Sequence, residues 1–441
     1  MSVFVAVNWI LVIVTSIVLL AVIRADRSLL IKPSIMAIIF FHVLCQWGSA
    51  IQAGRIELSL AKPWIFVLLS QGFPIIGLAV SLLTWRRSAR ALWERIINHK
   101  RSDLSGKSKA MIVLAIFFIL YIFFYLFHVP FRSTGLYKII YSPAESALAR
   151  DLSVKLLGNP FLRYGHTIMM AVFAPLLAVL AAQILLIQWQ RRNWIRVLFY
   201  LVCLAAILLA VSISGARAYP AYIIMVILFA GLLRRGFLIK PVYLILVTLL
   251  ILTFPTILSL LREGQVVTVK SFFDYLRGSI LDRVLIIPME TGLYHVHYAQ
   301  EYGFFGIQAI PKLATVMGIK SLNVPNFIVQ IYSGNPLTTT TANTAYIYAY
   351  YSYFGLVAFI PCLIGLWLLD MSLLVYRKLS DNLLIPCVAC ISIAANTFSN
   401  TDYTIALFSQ GFLLLLLVSW AVDRVVPKIE LATKKKINLF P

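Results

Sequence analysis

Residues 3–23 read VFVAVNWILVIVTSIVLLAVI. The run holds no charged side chain, and its apolar residues are continuous rather than alternating. A helix rises about 1.5 Å per residue, so a run of this length crosses the roughly 30 Å hydrocarbon core of a bilayer. A barrel strand would be shorter, about ten residues, and would alternate. The rest of the chain repeats the pattern. Of 441 residues, 61% are hydrophobic and 12% charged, and the mean hydropathy is +0.91. A soluble domain carries about 25% charged residues. This composition cannot clothe a water-soluble globule, and it excludes disorder and collagen. In lipid every backbone group must be satisfied inside a helix or a closed barrel, so the expectation is an all-α polytopic membrane protein.

Eleven spans are expected, at about 3–23, 33–52, 63–83, 110–130, 165–187, 195–213, 218–233, 241–260, 344–369, 383–400 and 403–422. The seventh and tenth are short. No cleavable signal is expected, because the first charges, Arg24 and Arg27, follow the apolar run instead of preceding it. That order places the N-terminus outside and the first connection in the cytoplasm. With this topology the cytoplasmic side receives 24 of the 38 Lys and Arg and seven of the 16 acids. The formal charge of +22 then reads as a topology and headgroup signal, not as a nucleic-acid footprint. The C-terminus falls in the cytoplasm. The five cysteines (Cys45, Cys203, Cys362, Cys387, Cys390) all lie inside spans, which implies no disulfide framework. Cys387 and Cys390 read as small core residues.

The chain 1–441 is expected to be a single integral membrane domain with two notable outer loops. The basic cytoplasmic connector at about 84–109 carries no phosphate-loop signature and reads as solvated. The loop 131–164 contains SPAESALARDLSVKLL, in which Ser142, Pro143 and Glu145 suggest a helix N-terminus. The helix that follows is amphipathic and suits an interface. The loop 261–343 is too long to be structureless and should fold into short helices over the outer mouth. No inverted repeat is visible, which weakens a transporter reading.

Chemistry, if present, therefore belongs on the outer face. Arg217, in SISGARAYP, sits in a tight connection at the membrane boundary, where an ionised group usually faces a cavity or a partner. A snorkelling arginine is the plain alternative. Arg262, in SLLREG, ends the eighth span, with Glu263 as an alternative partner. Arg277 and Arg283 are six residues apart, about 120° off a common helical face. Glu290, in RVLIIPMETG, is an acid among apolar neighbours, a setting that suits proton transfer; a helix N-terminal carboxylate after Pro288 is the alternative. Tyr294, His295 and His297, in YHVHY, are candidate substrate-binding groups, the histidines as a base or as hydroxyl ligands, with a plain structural place in the loop as the alternative. The two histidines share a face only in an extended segment, and no third metal ligand is apparent. The run LTTTTANT (337–344) reads as capping for the ninth span, with binding of sugar hydroxyls as the alternative. The tyrosines at 346, 348, 350, 351 and 353 read as interfacial belt residues, with stacking against sugar rings as the alternative. Arginine forks suit diphosphate oxygens. Transfer of a sugar from a lipid diphosphate needs stabilisation of the departing diphosphate and a base for the attacking hydroxyl.

In the order of these motifs the chain resembles the Wzy-type oligosaccharide repeat-unit polymerases, especially the branch that makes enterobacterial common antigen. SISGARAYPAYIIMVILFAGLLRRG resembles that family's Gly-x-Arg turn and following span. SLLREG resembles its arginine at the end of the next span. RVLIIPME, from Arg283 to Glu290, resembles an Arg-x5-Pro-aromatic-Glu segment, with Met289 in the aromatic place. YFGLVAFIPCLIGL is similar to its Gly-rich closing pattern. The resemblance covers roughly residues 200–370. It implies a metal-independent glycosyltransferase, similar to the lipid-linked GT-C class, in the bacterial inner membrane. The implied reaction moves a growing glycan from undecaprenyl diphosphate onto the terminal sugar of a new lipid-linked repeat unit at the periplasmic face. No cofactor is implied. The implied partners are the lipid-linked oligosaccharide, the phospholipid membrane and a chain-length regulator. Arg217, Arg262, Arg283 and Glu290 match the family's motif residues, and the loop 261–343 would roof the site. A histidine carried by some relatives before the ninth span is replaced here by SGNPLTTTT. An O-antigen ligase, which usually has a histidine in its large loop, and a lipid-linked oligosaccharide flippase remain the alternatives.

Overall fold

The structure is a computed structural model. It describes residues 3–53, 62–98, 105–142, 145–216, 218–238, 269–336, 343–401 and 411–437, with isolated positions at 253, 256–257, 260, 266, 268 and 407. Among the described residues every regular element is helical. In chain order they are α1 (Val3–Ala25), α2 (Pro33–Ala53), α3 (Pro63–Leu83), α4 (Arg86–Asn98), α5 (Gly106–His128), α6 (Gly135–Tyr141), α7 (Ser146–Lys155), α8 (Pro160–Gln190), α9 (Trp194–Ser212) and α10 (Ala218–Arg234). They continue with α11 (Val269–Tyr275), α12 (Ile287–Glu301), α13 (Pro311–Val316), α14 (Val324–Ser333), α15 (Tyr346–Tyr376), α16 (Asp381–Asn400) and α17 (Phe412–Ile437).

Eight of these helices are long and apolar enough to cross a membrane: α1, α2, α3, α5, α8, α9, α15 and α16. The seventh expected span appears as α10, an apolar helix of 17 residues. The eighth, at 241–260, lies almost wholly outside the described residues, as does the start of the eleventh. The chain is thus a polytopic helical membrane protein. Large apolar side chains face outward on these helices, among them Leu20, Phe127, Leu198 and Phe199. Lipid can accept such side chains where water would not.

Local chemistry sets the helix ends. Pro33, Pro63 and Pro160 occupy first-turn positions, where a missing N–H costs nothing. The Asn159 side chain accepts from the Phe161 N–H at 2.8 Å and starts α8. The cap expected at Ser142–Glu145 is displaced. Helix α7 begins at Ser146, and Glu145 makes no side-chain cap bond. Its carboxylate instead accepts from Lys138 Nζ at 2.6 Å. The capping expected from 337–344 also shifts: Ala345 is the N-cap of α15 without a side-chain bond, and Thr344 Oγ1 donates to the Pro288 carbonyl at 3.0 Å. Residues 337–342 lie outside the described residues.

Among the described residues, π turns lie at His42–Gln46 in α2, Leu68–Gly72 in α3 and Met169–Phe173 in α8. A fourth π-helical stretch, Leu276–Ile286, joins α11 to α12. Such turns rotate side chains off the 3.6-residue phase and recur at functional sites.

The chain divides into two compact units. One comprises Met1–Ala89, Phe273–Met371 and Ala394–Ala406; the other comprises Arg90–Phe272, Ser372–Ile393 and Leu407–Pro441. In the first, the core is aromatic. Tyr348 stacks between Phe41 and Phe66, and Tyr346 packs on Phe41, Phe73 and Phe398. The five tyrosines of α15 at 346, 348, 350, 351 and 353 are all buried. They are core residues and not the interfacial belt expected from sequence, because the first two turns of α15, residues 346–353, sit inside the unit. In the second unit, α8 is largely enclosed and packs on α5, α9 and α10.

Candidate functional site

The segment between α10 and α15 is not structureless. Its described residues 269–336 fold as α11, the π-helical stretch, α12, α13 and α14, in keeping with the short helices expected of so long a loop. Helix α12 follows Pro288 in its first turn, and its two faces differ sharply.

The inner face carries Thr291, Gly292, His295, Val296 and Ala299, all buried against α15. Thr291 Oγ1 lies 2.9 Å from the Asn343 carbonyl. Ser352 Oγ donates to the Ala349 carbonyl at 2.7 Å, so at 2.9 Å it accepts from His295 Nδ1. His295 is fully enclosed. The structure therefore gives it a packing and anchoring place on the α12–α15 contact.

The other face is half-buried and polar. Glu290 and Tyr294 are one turn apart, and the Tyr294 hydroxyl donates to Glu290 Oε1 at 2.7 Å. Tyr294 stacks on Tyr332 of α14, with centroids 4.4 Å apart and planes at 10°. His297 Nδ1 is hydrogen-bonded to the Tyr332 hydroxyl. The result is a continuous row of Glu290, Tyr294, Tyr332 and His297. Burial, reinforced by the hydrogen bond and the charge of Glu290, pushes the Tyr294 phenol up to about 12. Burial, with the neighbouring Tyr302, Tyr294, Glu301 and Tyr298, also pushes Tyr332 upward. Both phenols therefore stay neutral donors over the physiological range. A carboxylate, a ring face and an imidazole on one ledge can bind sugar hydroxyls and accept a proton.

The π-helical stretch before α12 carries Arg277 and Arg283. Arg277 is exposed. Arg283 is placed by its backbone only, and its side chain lies outside the description. Gly48 of α2 lets this stretch approach: a Cβ there would strike the Leu285 carbonyl oxygen and stand 2.7 Å from Met289 Cγ. Arg217 and Arg262 lie outside the described residues. The turn before Arg217 is described, and it has the expected tightness. Gly215 has φ +76°, a left-handed conformation that suits glycine. It lies against Gly135, and the Leu136 N–H donates to the Ile213 carbonyl at 3.1 Å.

Sequence reading missed a buried polar network in α1, α2 and α3. Gln46 Nε2 donates to Gln71 Oε1 at 2.8 Å, and Gln71 Nε2 donates to Asn8 Oδ1 at 2.5 Å. Trp47 Nε1, a donor only, reaches His42 Nε2 at 3.3 Å, so His42 Nδ1 donates to Gln46 Oε1 at 2.6 Å. Gln46 and Gln71 lie in π turns of their respective spans. The available signal was the polar residues themselves, since amides and imidazoles inside spans are costly unless partnered. Among the described residues no group of three or more His, Cys, Asp or Glu side chains is arranged to hold a metal ion. Compared with protein-family models, curated proteins and solved structures, the chain finds no match.

Proposed function

We propose that this chain is a membrane polysaccharide polymerase. It transfers a growing glycan from a polyprenyl diphosphate to the terminal sugar hydroxyl of a new lipid-linked repeat unit, on the outer face of a bacterial inner membrane. The observation that carries this reading is the Glu290–Tyr294–Tyr332–His297 row on a helix anchored to a membrane span. Aromatic faces there stack against sugar rings, and the tyrosine hydroxyl fixes one oxygen of the carboxylate while the other stays available.

In this mechanism Glu290 takes the proton of the acceptor hydroxyl. The acceptor oxygen forms a bond to the anomeric carbon of the donor glycan. The bond from that carbon to the diphosphate oxygen breaks, and its electron pair leaves with the polyprenyl diphosphate. The reaction needs cations to offset the charge that develops on the diphosphate, the role that the family resemblance gives to Arg217, Arg262 and Arg283. Arg277, Tyr294 and His297 contact the glycan, and His295 holds α12 in place.

His297 gives a specific reason to keep a ligase reading, since a loop imidazole could serve as base for transfer to another acceptor. A deletion strain separates the two. A polymerase deletion leaves single repeat units on the surface lipid; a ligase deletion leaves none. Arg217→Ala and Arg283→Ala are expected to stop polymer formation at normal expression. Surface glycan that keeps its full length distribution in the deletion strain would reject the polymerase.

A further inference from the structure

The second compact unit holds a polar cluster that the proposed reaction does not use. It lies at the end of α8 that follows the 131–159 segment, where PFLRYGHT (160–167) enters the span. His166 is 2% exposed. Its Nδ1 is 2.6 Å from the Tyr121 hydroxyl on α5. Tyr125 stacks on the imidazole with centroids 5.2 Å apart, and Tyr219 closes edge-on at 6.1 Å. His166 Nε2 is buried and has no hydrogen-bond partner among the described residues. One turn earlier, Arg163 is tethered through Nη2 to the carbonyls of Lys155 (3.2 Å) and Gly158 (3.0 Å). Its Nε is likewise buried without a partner.

Proton placement decides what is missing. The Tyr121 phenol has one proton, and His166 Nδ1 is the partner within reach. Donation to Nδ1 satisfies the phenol and puts the imidazole proton on Nε2. The other arrangement would bury a phenol proton and an imidazole lone pair, both unsatisfied, which costs more. The two orphaned atoms, Arg163 Nε–H and His166 Nε2–H, are then both donors. Residues three apart on a helix are neighbours. What they lack is an acceptor, and the guanidinium charge favours an anionic oxygen. Five Lys or Arg stand against two acids over residues 128–166. The cluster lies beside Phe161, which is 79% exposed at the head of a membrane-crossing helix. At the head of a membrane-crossing helix, lipid phosphates are the anionic oxygens at hand.

We propose that Arg163 and His166 form a binding site for a lipid phosphate, with the Tyr121 hydroxyl fixing the imidazole so that Nε2–H points to the phosphate oxygen. The phosphate belongs either to a phospholipid headgroup or to a polyprenyl carrier, which share this chemistry. The site does not depend on the polymerase reading.

The test uses the full chain in detergent, with native mass spectrometry of phosphatidylglycerol, polyprenyl monophosphate and diacylglycerol binding. Arg163→Met and His166→Phe are each expected to weaken phosphate-lipid binding about tenfold or more, the effect of losing one buried hydrogen bond to a charged group. Diacylglycerol binding should not change. His166→Gln, which keeps an N–H donor near the same place, should retain most of the affinity. Loss confined to phosphatidylglycerol assigns the site to headgroups; loss confined to the polyprenyl phosphate assigns it to the carrier. Wild-type affinity for both phosphate lipids in both apolar variants overturns the proposal. Should those variants fold poorly, imidazole nitrogen NMR of the wild type decides: Nε2 should carry the proton and shift on adding the phosphate lipid, and no shift overturns the site. A deletion-strain glycan profile that rejects the polymerase leaves this result untouched.

Discussion

Glu290 and Tyr294 share a hydrogen bond, so the chemistry of one is readable in the titration of the other. Burial is the larger reason the Tyr294 phenol rises to about 12, with Glu290 adding to it. Glu290→Gln should therefore lower the Tyr294 midpoint, though not to the ordinary value near 10, because burial remains. The difference titration at about 295 nm between each protein and its Tyr294→Phe counterpart checks this; an unmoved midpoint would mean that the carboxylate does not face the phenol. The sign for stability follows. A phenol raised above its unfolded value favours the fold fully below about pH 10, and that contribution fades as pH climbs toward 12. In membranes supplied with lipid-linked repeat units, Glu290→Gln should cut the polymerisation rate by about 10²–10⁴, the range for a lost general base. Glu290 and His297 were legible in the sequence as polar residues on an otherwise apolar, aromatic segment. Tyr332 was not, because its role comes from stacking on a helix 38 positions earlier, which no local pattern encodes. His295 was legible as a histidine but not as a buried one, since the YHVHY spacing alone does not tell which residue faces α15.

The helices themselves were the most readable level, because lipid enforces length and apolarity on each span separately. What periodicity could not show is where a span departs from the regular phase. The π turns of α2 and α3 hold Gln46 and Gln71, which are partnered across the two helices. The Gly135–Gly215 contact lies between these cases. A glycine in the SGAR turn was expected; its partner at 135 was not. A Cβ on Gly135 would stand 2.6 Å from the Ser214 carbonyl carbon, and one on Gly215 would stand 2.9 Å from the Gly135 Cα. Gly215→Ala also pays the left-handed penalty of about 1–2 kcal/mol. Either substitution should lower the thermal unfolding midpoint of the purified protein and displace the turn that leads into Arg217. Polymer formation should fall with them even where expression is normal. Variants that keep both the wild-type midpoint and wild-type polymer would show that the turn tolerates the added methyl.

At the scale of the whole molecule, Lys32 is one of the 24 basic residues that the topology count assigns to the cytoplasmic side, and the structure buries it. Lys32 and Asp370 are both fully buried, with Nζ 3.0 Å from Oδ2. Lys32 also donates to the Thr84 carbonyl at 2.6 Å and to the Ser81 carbonyl. Asp370 accepts from the Ser34 N–H at 2.9 Å and the Ser34 hydroxyl at 2.7 Å, across 336 residues of sequence. The pair thus ties the ends of α2, α3 and α15 within one unit. A count of loop charges cannot see this, because it assigns each lysine to water by position alone. The energetic consequence is asymmetric. Removing one partner strands the other charge in a low-dielectric setting, at a cost of about 3–5 kcal/mol. Replacing both by apolar groups of similar volume is close to neutral. Lys32→Met and Asp370→Leu should each lower the unfolding midpoint strongly, and the double variant should recover most of the loss. Chemical denaturation in detergent, run as a double-mutant cycle, reads the coupling directly. If the two single losses simply add, the ion pair is not what joins these three helices, and the backbone carbonyls around Lys32 would have to carry the connection instead.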